Sequence, residues 1–253
     1  MAETKYISGL FPVKGSDSDQ KFIVVLVCAR SEWDVVCASV PDHELNHSPF
    51  GGWFAEPSVR DTFQIVYFFS GWGKTAAAAA TQYVIAHWKP VLLLNVGTCG
   101  GFEGRIGIGD VIVPQQTIIY DIDGRMGDAA EAIMAYTTKL DTSWLSGTDL
   151  MKSICPVLVS ADADISPDRM DFLNAEYGTL AADWESGSIA YVAALNRIPV
   201  LIVRVVSDIV SSVSGEAYDD ATLFQSRCAQ VMPRVLAHIP MILERFLGAH
   251  RII

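Results

Sequence analysis

The sequence predicts a single α/β domain built on a mostly parallel sheet. Three observations carry that expectation. Apolar runs of strand length recur along the chain, helical stretches alternate with them, and no linker, internal repeat or low-complexity tract divides the sequence. A chain of 253 residues has room for one large domain or two small ones at roughly 100–200 residues each. Without a break, one domain is expected over residues 21–253, after a polar leader at 1–20.

In chain order, FIVVLVC at 22–28, QIVYFF at 64–69, VLLLNV at 91–96, residues 157–160 and VLIVRVV at 200–206 read as strands. Their Val, Ile and aromatic content is nearly unbroken, the pattern of strands covered on both faces. Residues 74–88 hold five consecutive alanines, the best helix former, and close at Lys89-Pro90. Residues 167–176 follow Ser166, an N-cap candidate, with Pro167 at the first helical position. A helix over 184–196 ends before Ile198-Pro199. Residues 218–247 are helical in pattern and expected to kink or break at Pro233 and Pro240. Two stretches, 40–61 and 121–144, lack periodicity and read as functional loops.

Composition narrows the function. Eighteen Lys+Arg against 29 Asp+Glu give a net charge of −11, which argues against nucleic acid and against an anionic membrane surface. Five scattered cysteines without a C-x-x-C pair form neither a disulfide framework nor a zinc ribbon. The first ten residues lack the pattern of a secretion signal. The apolar stretch 22–29 falls far short of the roughly 20 residues that span a bilayer. The expectation is a soluble, cytoplasmic protein.

Two motifs mislead. His43-Glu44-Leu45-Asn46-His47 matches H-E-x-x-H, but Pro41 precedes it and Ser48-Pro49 follows, leaving at most about one helical turn where the zinc chemistry needs a stable helix. It reads as a loop coincidence, with no metal. Gly71-Trp72-Gly73-Lys74-Thr75 ends like a phosphate-binding loop, yet Phe68 stands where the first glycine belongs. Its likeness to the dinucleotide fingerprint lacks the acidic residue about 20 positions on. A tight strand-to-helix turn that needs glycine is the simpler reading.

A stronger signal lies in separated segments: Cys28-Ala29-Arg30-Ser31-Glu32; Asn95-Val96-Gly97-Thr98-Cys99-Gly100-Gly101-Phe102 with the later Gly109-Asp110-Val111-Ile112-Val113-Pro114; Ser160-Ala161-Asp162; Asp183-Trp184-Glu185 leading into Ile189-Ala190; and Arg204-Val205-Val206-Ser207-Asp208. Ligands of open α/β sheets bind at the carboxyl ends of strands. Glu32, Thr98, Asp162 and Asp208 each follow an apolar run, so one rim can gather them. On spacing alone a structural role competes, because an acidic residue after a strand is commonly a helix cap.

Taken together, G-T-C-G-G-F with G-D-V-I-V-P, D-x-E-x-x-x-I-A and R-x-x-S-D resemble the nucleoside phosphorylase and nucleosidase superfamily. Within it, the likeness is nearest to nucleosidases of 5′-methylthioadenosine and S-adenosylhomocysteine. The resemblance extends from about residue 22 to the C-terminal helix and is poor at 40–61 and 121–150. It implies a three-layer α/β/α domain around a mixed, partly barrel-like sheet. It also implies hydrolysis of the N-glycosidic bond of a purine nucleoside, releasing adenine, with no metal or organic cofactor. Asp208 matches the general acid that protonates the departing base, which calls for a carboxyl kept protonated near neutral pH. Glu185 matches the carboxylate that holds the two ribose hydroxyls, and Glu32 the base that activates water. Arg204 and Thr98 match residues that position that water and its base. Ser207, Asp162, Gly100 and Trp184 complete the expected substrate-binding set. The family's usual state is a homodimer or larger, and the loop at 121–127 is the candidate for reaching a neighbour's pocket.

Asn95 stands where bacterial purine phosphorylases place a phosphate-gripping arginine, and Glu32 would repel phosphate; both favour hydrolysis. Arg30 is a nearby cation that argues for the phosphate-dependent alternative. A non-catalytic nucleoside-binding relative is the third reading, opposed by the retention of Glu32, Glu185 and Asp208 together. The sequence also departs from the family pattern. Asp164 replaces a base-stacking apolar or aromatic residue, Trp184 a methionine, and Ser186-Gly187 small apolar residues. These put substrate identity in question more than reaction type.

Overall fold

Every residue from Ile23 to Val27 is fully buried, and successive side chains of that run serve opposite layers. The computed structural model describes residues 20–40, 42–57 and 63–250; the expected leader, apart from Gln20, and Pro41 lie outside the described residues. The strands are β1 (Lys21–Val27), β2 (Asn46–Ser48), β3 (Gly51–Pro57), β4 (Phe63–Phe69), β5 (Leu92–Phe102), β6 (Val111–Pro114), β7 (Gln116–Ile119), β8 (Thr137–Lys139), β9 (Ile154–Cys155), β10 (Leu158–Ser160), β11 (Ala181–Asp183) and β12 (Val200–Val210). The helices are α1 (Arg30–Ser39), α2 (Gly73–Trp88), α3 (Ala129–Ala135), α4 (Pro167–Tyr177), α5 (Ser186–Leu195), α6 (Ala221–Leu236) and α7 (Ile239–Ala249).

Ile23, Val25 and Val27 of β1, Leu92, Leu94 and Val96 of β5, and Leu201, Val203 and Val205 of β12 pack in one core with residues of α1, α6 and α7. Val24, Leu26, Leu93 and Ile202 point the other way, into a core with Ala77, Ala80 and Val84 of α2 and Ile189, Ala190 and Ala193 of α5. Alternation with both faces apolar is why these runs lack polar residues. Each fully buried Val, Leu or Ile contributes roughly 1.5–3 kcal/mol relative to exposure. The result is the expected three layers.

The sheet is mixed. β1 pairs parallel with β4 and β5, and β5 with β12, whereas β11 runs antiparallel to β5 at Gly100 and Gly101. The path runs β2-β3-β4-β1-β5-β11-β10-β7-β8, with a side branch β12-β6-β9 leaving β5. Among the described residues it forks at β5 and does not close on itself.

Several boundaries differ from the sequence reading. The glycine-rich segment after Val96 is no turn: β5 continues through it to Phe102, and β12 likewise continues past Val206 to Val210. Residues 40–61, read as a loop, hold the β2–β3 hairpin, with β3 antiparallel to β4. Residues 121–144 hold α3 and β8. The last helical stretch breaks at Ala237-His238, not at Pro233, which lies inside α6. Pro240 falls in the first turn of α7, where no backbone donor is needed. The Ser166 hydroxyl bonds the Asp168 carboxylate instead of capping α4.

Candidate active site

A cavity of about 490 Å³ opens where β5, β12 and β11 end, between the starts of α1, α2 and α6. Glu32, Thr98, Gly100, Trp184, Glu185, Ser207 and Asp208 all line it, so seven of the nine expected site residues converge. Arg204 and Asp162 do not line it.

Glu32 sits in the first turn of α1, buried, and is fixed by three donors. Its Oε2 accepts the Ala29 N–H at 3.0 Å, and its Oε1 accepts the Thr98 N–H at 2.6 Å and hydroxyl at 2.7 Å. A carboxylate so held is pre-oriented toward the cavity.

Arg204, expected among the catalytic groups, lies one layer behind the wall and is 1% exposed. Its Nε donates to Asp183 Oδ2 at 2.8 Å and Ser186 Oγ at 3.0 Å, and its Nη2 to Asn95 Oδ1 at 2.7 Å. Asn95 in turn donates to the Leu26 carbonyl at 3.0 Å, so it lies away from the cavity too. Among the described residues Nη1 has no hydrogen-bond partner, and it abuts Gly97, the residue opposite Arg204 in the β5–β12 ladder. A Cβ there would lie 2.1 Å from Nη1 and 2.9 Å from Glu32 Oε1. Glycine is what allows the guanidinium to stand behind Glu32.

Glu185 occupies the cap position of α5, buried, with Oε1 accepting the Gly73 N–H at 2.9 Å. Burial first, then the Asp183 charge, push its carboxyl up to about 8, while Arg204 and the Gly73 N–H pull the other way. Asp208 follows a register shift between Val206 and Asp208, an irregularity that re-aims the strand at the cavity. Its Oδ1 accepts the Ser207 hydroxyl at 2.6 Å. Burial raises its carboxyl above the ordinary range; the Ser207 bond opposes this, and the charges of Glu216 and Asp164 add to it. A Cβ on Gly100 would come within 3.2 Å of Ile165 Cδ1 and 3.7 Å of Asp208 Oδ2, so glycine keeps the space beside the acid clear.

The Asp162 carboxylate, expected to bind substrate, instead accepts the Lys74 N–H at 2.6 Å, at the start of α2. Arg30 points outward, its side chain 69% exposed and paired with Asp34 at 3.0 Å. Asp164 does line the cavity. The turn that resembled a phosphate loop is a glycine turn, with φ of +79° at Gly71 and +83° at Gly73. Its amides face the protein's own carboxylates. His43 and His47 share no helix: His47 lies in β2, and His43 stacks on Phe54 at 3.9 Å.

Three contributors escaped the sequence reading: Asp183, the buried counter-ion of Arg204; Trp72, 63% exposed at the mouth; and Tyr218, whose hydroxyl donates to the Ile165 carbonyl at 2.6 Å. The D-x-E spacing already contained Asp183, and its signal was a second acid two residues before Glu185. Altogether the cavity is lined by Glu32, Asp164, Asp183, Glu185, Asp208, Asp219 and Asp220 and, among the described residues, by no lysine, arginine or histidine.

A family model described as the phosphorylase superfamily matches residues 59–239. The 5′-methylthioadenosine/S-adenosylhomocysteine nucleosidase of Oceanobacillus iheyensis is 29% identical over 166 residues, 61% of this chain and 72% of that protein. The nucleosidase of the same name from Geobacillus kaustophilus is 25% identical over 174 residues, 63% and 73% of the two chains. Among solved structures, the apo 5′-methylthioadenosine nucleosidase of Arabidopsis thaliana superposes with a TM-score of 0.73 at 20% identity, over 88% of this chain and 96% of that one. Futalosine hydrolase of Helicobacter pylori superposes with a TM-score of 0.72 at 18% identity, over 87% and 98%. At such identities the structural likeness speaks for the fold alone.

Proposed function

The chain belongs to the phosphorylase superfamily, and from that premise we propose that it hydrolyses the N-glycosidic bond of a purine nucleoside, 5′-methylthioadenosine or S-adenosylhomocysteine, releasing adenine. The nucleosidase relatives support the reaction class. Asp208 gives its proton to a purine ring nitrogen, so the base leaves neutral as the bond to C1′ breaks. Burial supports that role by keeping the carboxyl protonated longer than an ordinary aspartate. Glu185 accepts the two vicinal ribose hydroxyls and faces the positive charge that develops on the sugar. Water adds to C1′ and its proton passes to Glu32, which Ala29 and Thr98 hold in place. No step calls for a metal. The exposed loop at 121–127, with Met126 fully in solvent, is assigned by the same proposal to contact with a second subunit of a homodimer.

The observation that carries hydrolysis over phosphorolysis is the charge of the wall. Among the described residues, seven acidic residues and no cation line the cavity. Asp183 is paired with Arg204, and burial favours the protonated forms of Glu185 and Asp208, which leaves Glu32, Asp164, Asp219 and Asp220 to oppose an anion. The two arginines that could have gripped phosphate are spent elsewhere, Arg30 on Asp34 and Arg204 on Asp183. A like-charge contact at 4 Å costs about 4 kcal/mol near a protein surface, and several would act on a phosphate at once.

Product chromatography tests this. Methylthioadenosine, S-adenosylhomocysteine, adenosine and inosine are each incubated with and without phosphate. Free adenine and free sugar are expected without phosphate; release only with phosphate would overturn the reading. Asp208→Asn should lower kcat by about 10²–10⁴-fold while nucleoside binding persists. A wild type as inert as that variant, yet still binding, would point to a non-catalytic relative.

A further inference from the structure

The glycine turn before α2 has no part in the chemistry above, yet it touches Glu185. Its Gly73 N–H reaches Glu185 Oε1 at 2.9 Å, and this is the carboxylate's one hydrogen bond from the described residues. On the outer side of the same turn runs a closed ring of contacts. The Lys74 N–H donates to Asp162 Oδ1 at 2.6 Å. The Asp162 N–H donates to Asp121 Oδ2 at 3.0 Å. The Lys74 ammonium closes the ring on the Asp121 carboxylate and stands 3.9 Å from Asp162 Oδ2. The three residues come from α2, from the chain after β7 and from the chain after β10, so the ring ties three segments to one turn. The fit is close, because a Cβ on Gly73 would lie 2.9 Å from Asp162 Oδ1.

We infer that Lys74 is a positioning residue for Glu185: together with Asp121 and Asp162 it locks the turn at 71–74 so that the Gly73 N–H meets the carboxylate that holds ribose. The inference rests on the reading of Glu185 given above. Lys74 stands where a phosphate-loop lysine would, but it neutralises the protein's own carboxylates. The groups that face Glu185 are Asp183, Arg204, Glu32 and the Gly73 amide. Of these, Arg204 and the amide are the ones that favour its ionised form. If the turn loosens, the amide is lost, the carboxylate holds its proton to higher pH, and the ribose hydroxyls lose their acceptor.

The test separates position from charge. Lys74→Met and Asp121→Ala both open the ring but change charge in opposite directions. Direct electrostatics alone would raise the Glu185 pKa in the first and lower it in the second; loss of positioning raises it in both. The pKa is read in the whole protein by carbon-13 NMR of glutamate side chains, with Glu185→Gln giving the assignment. Kinetics with methylthioadenosine accompany it. Expected are an upward shift in both variants, KM raised about three- to tenfold at neutral pH, the share of a charge-assisted hydrogen bond lost by misalignment, kcat changed far less, and rescue by Lys74→Arg. A fall or no change in the Glu185 pKa of Asp121→Ala overturns the inference, whatever KM does. An upward shift in both variants with a wild type that cleaves no nucleoside overturns the reading of the reaction and leaves the positioning intact.

Discussion

Replacing Gly97 by alanine adds one methyl group at the most crowded point of the site. The new Cβ would stand 2.1 Å from Arg204 Nη1 and 2.9 and 3.0 Å from the two Glu32 oxygens. Ordinary contact for such atoms begins near about 3.5 Å, so the guanidinium must retreat by more than about 1 Å. It has nowhere to go, because it is held at 2.8 Å by Asp183 and at 2.7 Å by Asn95 in a fully buried setting. Overpacking costs about 1–3 kcal/mol, and straining a buried ion pair adds to that. A loss of about 2–4 kcal/mol lowers Tm by about 5–15 °C for a chain of this size. Glu32 must give way by about 0.5 Å, and at about 10²-fold per 1 Å of misplacement that is about tenfold in kcat/KM. The assay pairs thermal unfolding with initial rates. Adding Arg204→Lys, which removes Nη1, should return part of the stability and none of the activity. A Gly97→Ala protein within 2 °C and threefold of wild type, limits set at about half the smallest expected effects, would refute the idea that Glu32 and Arg204 are rigidly packed.

Glu185 gives a pH-dependent outcome. Burial and the Asp183 charge push its folded carboxyl up to about 8, above the range of a glutamate in water. The folded state therefore holds the proton more tightly, and the stability this provides at low pH is lost as pH rises toward 8. Glu185→Gln should melt higher than wild type at pH 8–9, the difference shrinking toward pH 5, while nucleoside affinity falls; a pH-independent difference would contradict the assignment. Asp164→Phe should leave N-glycosidic cleavage in place and change the preference among purine bases, since Asp164 lines the cavity and contributes no proton to the proposed chemistry. Identical specificity profiles for the two proteins would remove that role.

The buried strands were legible because unbroken apolar runs leave little else to form; 22–28 and 64–69 each fall within a residue of β1 and β4. The ends of β5 and β12 were not, because Gly97, Gly100 and Gly101 look like a turn on propensity. They are strand residues whose missing side chains admit Arg204, Glu32, Ile165 and Ile106. The hairpin at 46–57 was hidden by Gly51-Gly52 and by the short, polar β2. Glu185 and Asp208 stand in motifs and Glu32 follows the first apolar run, and all three line the cavity. That Asp162 faces Lys74 instead of the cavity, and Lys74 faces Asp121, was not legible because those partners, 88 and 47 residues away in sequence, are contacts that only the fold creates.

The two indoles at the mouth give the cavity an optical signature. Of six tryptophans, Trp72 and Trp184 are the exposed ones that border it, whereas Trp33 and Trp88 are buried. Trp53 and Trp144 are partly exposed but do not border the cavity. A ligand that fills the cavity would take water from Trp72 and Trp184, and a blue shift of tryptophan emission on adding nucleoside is the expected sign of occupancy, turnover or not.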